Sequence, residues 1–70
     1  MSAKLSINSD GSIEVDEGSR SLSVFPIDDT MAISISDREG CVTLYLDRKT
    51  FDEFNNRCMD LSIKTFGHHT

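Results

Sequence analysis

Across Asp47 the chain changes period, and that change limits the folds open to it more than any other feature. From Cys41 to Leu46 the residues alternate, with Val42, Leu44 and Leu46 on one side, which is the two-residue period of a strand. Beyond Asp47 the apolar residues Phe51, Phe54, Cys58 and Leu61 recur at three- and four-residue intervals, forming one stripe of a helix. A strand therefore hands over to a helix through a single acidic residue, so the helix is predicted to cover the sheet it has just left. With Asp47 as N-cap, Leu46 and Phe51 occupy the two positions of a hydrophobic staple. Thr50 as N-cap would complete a capping box with Glu53, but Lys49 would then stand where the staple wants an apolar residue, and Asp47 is the better start. The helix is expected to end between Leu61 and Phe66 with Gly67 as a C-cap. Residues 1–66 then form one domain, and 67–70, including His68 and His69, a loose tail.

Upstream of this junction the chain reads as a series of hairpins. Lys4 to Ile7 alternates, as does Ser12 to Asp16, and keeping the apolar residues on one face requires Ile7 to oppose Ile13 and Leu5 to oppose Val15. That register leaves a three-residue loop, Ser9-Asp10-Gly11, with Gly11 in the left-handed position. Opposing Val15 to Leu22 leaves Gly18-Ser19 as a type II′ turn and sets Glu17 against Arg20. The third strand runs from Arg20 to about Phe25 and ends near Pro26, which has no amide to donate. Asp28-Asp29 makes the next turn, Met31 to Ser36 the fourth strand, and Asp37-Arg38-Glu39-Gly40 a four-residue loop that sets Ile35 against Val42. The registers join into two continuous apolar rows, Ile7-Ile13-Val24-Ile33-Leu44 and Leu5-Val15-Leu22-Ile35-Val42. Independent turns that yield consistent rows are strong support for one architecture. The expected fold is α+β: an antiparallel meander of four or five strands with one C-terminal helix packed on one face.

Ser6 to Glu17 also resembles a calcium-binding EF-hand loop, with Asn8, Asp10, Gly11, Ile13 and Glu17 at its third, fifth, sixth, eighth and twelfth positions. Ser6 stands where the first acidic ligand belongs, only five residues precede the loop, and an alternating stretch follows it. A hairpin accounts for every one of these residues, and no metal ligand is assigned.

At 70 residues, with 37% hydrophobic and 27% charged, the chain is globular in composition and near the lower size limit for a single self-sufficient core. No apolar run reaches membrane length, and the apolar core of a secretory signal is absent, which leads to the expectation of a cytoplasmic protein without membrane contact. Cys41 and Cys58 fall on opposite sides of the predicted sheet, so they are expected to be reduced. The net charge of −5 resides in residues 1–37, since residues 38–70 balance five acids with five bases. An acidic surface repels phosphate backbones and argues against direct nucleic-acid binding.

No motif for catalysis or for a cofactor stands out. The histidines lie in the tail, Cys58 belongs to the helix stripe, and the serines sit on flat strands without a neighbouring base. The carboxylates of Asp10, Asp28, Asp29 and Asp47 share one end of a meander, yet turn and cap chemistry explains each of them. The feature that fold alone does not require is on the reverse face of the sheet. There Phe25, Ala32 and Tyr45 align beside the hydroxyl pair Ser34 and Thr43. An aromatic pair among small hydroxyl residues has the composition of a contact patch. The expectation is a small non-catalytic interaction module, an inhibitor, antitoxin-like regulator or accessory factor of the kind common among phage and mobile elements. It would bind a partner protein or a second copy of itself, as a homodimer, through Phe25, Ala32, Ser34, Thr43 and Tyr45. The alternative is an acidic mimic of nucleic acid, presenting Asp10, Glu14, Asp16, Glu17, Asp28 and Asp29 to a basic groove.

Overall fold

The computed structural model describes residues 2–67. His68 and His69, assigned above to a tail, lie outside the described residues. Five strands, β1 (Lys4–Ile7), β2 (Ile13–Glu17), β3 (Arg20–Ile27), β4 (Thr30–Asp37) and β5 (Gly40–Leu46), are followed by one helix, α1 (Arg48–Phe66). The strands form one open antiparallel sheet in the order β1-β2-β3-β4-β5, a meander in which each strand pairs with its neighbours in sequence. The fold is α+β.

The pairing follows the alternation residue for residue: Ile7 opposes Ile13, Val15 opposes Leu22, Val24 opposes Ile33, and Ile35 opposes Val42. Both apolar rows are therefore present. Each turn shows its own chemistry. In the first loop Gly11 takes φ 90°, and its amide donates to the Asn8 carbonyl at 2.9 Å. Asp10 accepts there from both the Ser12 amide and the Ser12 hydroxyl, which also accepts from the Asn8 side chain, so buried Ser12 is fully partnered. Gly18 has φ 61° and Ser19 is not among the positive-φ residues, as a II′ turn requires.

Two boundaries differ from the expectation. β3 continues through Pro26 to Ile27, because Pro26 opposes Met31 and the ladder resumes beyond it with Ile27 opposite Thr30. Asp28 then takes φ 54°, the conformation glycine holds in the preceding turn, which a short polar side chain tolerates better than most. The β4–β5 connection is also tighter than a four-residue loop. Asp37 and Gly40 pair with each other, leaving Arg38-Glu39 as the turn, and the Asp37 carboxylate accepts from the amides of Glu39 and Gly40.

The helix starts as its cap dictates. Asp47 is extended, its carboxylate accepts from the Thr50 amide at 2.8 Å, and its carbonyl accepts from the Phe51 amide. At the other end Gly67, with φ 85°, donates to the Ile63 carbonyl. Between these ends α1 approaches only β4 and β5, and none of its residues is buried. The stripe thus covers far less of the sheet than its spacing suggested. The reason is geometric. Five strands about 4.8 Å apart span ~19 Å from first axis to last, whereas a helix about 10 Å across shields roughly two of them. Buried apolar residues among those described are Ala32 and Ile33, both in β4, an interior strand next to the edge. The radius of gyration is 13.5 Å, against ~11 Å for a compact domain of this length.

Candidate functional site

The two faces of the sheet have opposite chemistry because each strand alternates. On the first face, Leu5, Ile7, Ile13, Val15, Leu22, Val24, Met31, Ile33, Ile35, Val42, Leu44 and Leu46 fall in paired positions, with Glu17, Arg20 and Asp37 at the strand ends as its charged rim. Only the middle of this face is covered. Ile33 is buried and Val15, Leu22 and Val24 are half-buried, but Leu5, Ile7, Ile35, Val42 and Leu44 are exposed, Val42 and Ile7 by 70%. Val15, Leu22 and Ile35 line a shallow depression, flanked by Glu17 and Arg20 from the strand ends. Towards the helix, Phe51 lines another with Met31, beside Asp28 and Asp29. On α1, Phe54, Met59, Leu61, Ile63 and Phe66 are also exposed, Phe54 and Leu61 in the stripe with Phe51 and the other three around the far side of the helix.

The second face carries the hydroxyls. Ser23, Ser34 and Thr43 stand side by side across three strands, and the Thr43 hydroxyl donates to Ser34 Oγ at 3.2 Å. Ser21 and Ser36, also directly opposed, share a hydrogen bond of 2.8 Å. These cross-strand bonds tie the hydroxyls to one another. Phe25, Ala32 and Tyr45 form the next row, as the registers require. Their exposure differs from one to the next: Tyr45 is 62% exposed, Phe25 is half-buried, and Ala32 is fully buried. Ala32 therefore sits between the aromatic positions and offers no surface of its own, which corrects its place among the contact residues. Ser34 and Thr43 are half-buried, so Tyr45 is the most exposed member of the patch.

The acidic residues do not converge. Glu14 and Asp16 lie on the hydroxyl face opposite Ser23 and Ser21, Glu17 pairs with Arg20 at the strand ends, and Asp10, Asp28 and Asp29 occupy two separate turns. Among the described residues no group of three or more His, Cys, Asp or Glu side chains is arranged to hold a metal ion. Two carboxylates are shifted in acidity, and both serve structure. The Ser12 hydroxyl, and after it the Ser12 amide, hold Asp10 below the usual carboxylate range. The Thr50 amide, followed by the Thr50 hydroxyl, does the same for Asp47. Cys41 and Cys58 are free thiols, each exposed. Arg48 and Asp52 approach to 3.8 Å on the solvent side of the helix, a pair of little energetic consequence.

The sequence reading missed how much of the apolar face stays open. A signal was available: a stripe of four helical residues cannot cover two rows of five. No protein-family model matches this chain, and no curated protein and no solved structure is significantly similar to it, so function is read from these surfaces.

Proposed function

We propose that this chain is a non-catalytic protein-interaction module, an inhibitor, antitoxin-like regulator or accessory factor that acts by occupying a partner protein. One observation carries the reading: large apolar side chains lie exposed over both layers of a very small fold, while its shifted carboxylates are used in a turn and a cap. Contiguous exposed apolar surface on a small domain marks a place where another macromolecule sits. The partner-binding surface is assigned to the hydroxyl face around Tyr45. There an exposed aromatic ring stands beside half-buried Phe25 and a flat floor of mutually bonded hydroxyls. A tyrosine contributes a large rigid contact area and one polar group, the combination that anchors many interfaces.

The test is capture of partners from the native host with the wild type and with a Phe25→Ser, Tyr45→Ser double variant, identified by mass spectrometry. The expected result is loss of a specific, stoichiometric partner from a variant whose circular dichroism is unchanged. An identical set of captured proteins would remove the assignment. Affinity that collapses with rising salt and ignores both aromatic substitutions would favour the acidic-mimic alternative, since screening weakens charge contacts and leaves apolar ones intact.

A further inference from the structure

We infer that the apolar face of the sheet is covered by a second copy of this chain. The inference extends the interaction-module reading, on which it rests only in treating the chain as a binding protein, and it uses the face opposite Tyr45. The first ground is area. The chain exposes 6113 Å², whereas a folded monomer of 7.8 kDa is expected to expose ~4,400 Å². Setting aside a generous share for the four undescribed terminal residues, the excess still exceeds ~1,000 Å² per chain. Two copies closing over that surface would bury upward of ~2,000 Å², the class of permanent homodimers and well beyond casual contacts.

The second ground is what the face lacks. Twelve paired apolar positions run across all five strands, and the charges this face does carry, Glu17, Arg20 and Asp37, sit at its rim on the strand ends, with the remaining strand acids Glu14 and Asp16 on the other face. Two copies each carrying −5 repel one another, and they meet at least cost where the centre of both surfaces is free of charge. A foreign partner drawn to an acidic protein would be selected by charge complementarity, and the middle of this face offers no charge for it, while the rim pair Glu17 and Arg20 is of opposite sign and suits a self-complementary contact. The third ground is supply. With Ala32 and Ile33 the buried apolar residues among those described, the chain lacks a core until something covers the sheet. A second copy is present wherever the first is made, which suits a fold completed by association. Apolar faces about 10 Å apart, packed as a sandwich, would bring Val42, Leu44 and Ile35 of each copy into the shared interior.

Sedimentation velocity and light scattering on the wild type test this, together with thermal unfolding from about 1 to about 100 µM, because the Tm of a dimer that unfolds to monomers rises with concentration. The expected result is the mass of two 7.8 kDa chains and a Tm that climbs over that range. Val42→Glu and Cys41→Glu then distinguish the faces, since the two residues are adjacent in β5 and point to opposite sides. Val42→Glu is expected to give single chains or unfolded protein, and Cys41→Glu to leave the dimer intact. A single-chain mass with a concentration-independent Tm would overturn the inference while leaving the Tyr45 assignment standing. A dimer that survives Val42→Glu, through strand edges for example, would overturn it too. So would a wild type that is single alone and whose Val42→Glu variant loses a foreign partner.

Discussion

Ile33 and Leu44 stand directly opposite one another on the same side of β4 and β5, yet one is 9% exposed and the other 57%. In an isolated chain that difference sets what each truncation costs. Complete burial of such a side chain stabilises by ~1.5–3 kcal/mol. Ile33→Ala forfeits nearly all of that and leaves a cavity over β4, about 3 kcal/mol together. Leu44→Ala in an isolated chain forfeits less than half of the transfer term and leaves no enclosed cavity, ~1 kcal/mol. A second copy on the face covers what Leu44 now exposes, and its cost then rises to about that of Ile33. The expected outcome is near equality, ~3 kcal/mol per chain at both positions. Urea unfolding followed by circular dichroism at one fixed protein concentration yields both values from the midpoint and slope. Costs of ~3 kcal/mol at Ile33 beside ~1 kcal/mol at Leu44 would refute the reasoning, because Leu44 would then be as open in solution as it is in the single chain.

Further outcomes concern the caps and turns. Asp47 is held below its ordinary value of 3.8 by the Thr50 amide. A carboxylate depressed by folding contributes fully above its unfolded value, and that contribution is lost as pH falls through the folded value, here below about pH 4. Asp47→Asn still accepts the amide without titrating, so its helical ellipticity at neutral pH should match wild type and fall less on acidification. Equal acid loss in both proteins would assign the effect elsewhere. Gly11→Ala adds a methyl into open space but forces an L-residue to φ 90°. A destabilisation of about 1–2 kcal/mol in thermal or urea unfolding is expected, and an unchanged midpoint would show that the loop relaxes. Asp28→Val places a β-branched residue at φ 54° and should likewise lower the midpoint, whereas Asp28→Gly should not.

The sheet was legible because two signals of different origin had to agree. Side-chain alternation fixes register to the residue, and Gly11, Gly18 and Gly40 fix where three of the four connections reverse, with Asp28-Asp29 at the fourth, so a slip at one turn would have broken a row at the next. The helix start was legible for the same reason, Asp47 satisfying both the cap and the staple. Extent of cover was not. Periodicity says which side of an element is apolar, but not whether the chain holds enough material to bury it, and here one helix faces five strands. β3 runs past Pro26 because a missing amide interrupts a ladder only locally, which the presence of a proline in the sequence does not reveal. In the reverse-face patch the row was legible and its exposure was not. Ala32 lies flush between larger neighbours, a consequence of size that alternation does not encode.

Because every strand pairs only with its neighbour in sequence, across connections of two to five residues, nothing in the sheet waits for distant parts of the chain to meet. Short loops cost little closure entropy, and topologies of this kind form quickly. The helix, touching only the last two strands, adds no long-range step. Where a second copy completes the fold, as inferred above, the slow event is encounter between chains, and the refolding rate should scale with protein concentration.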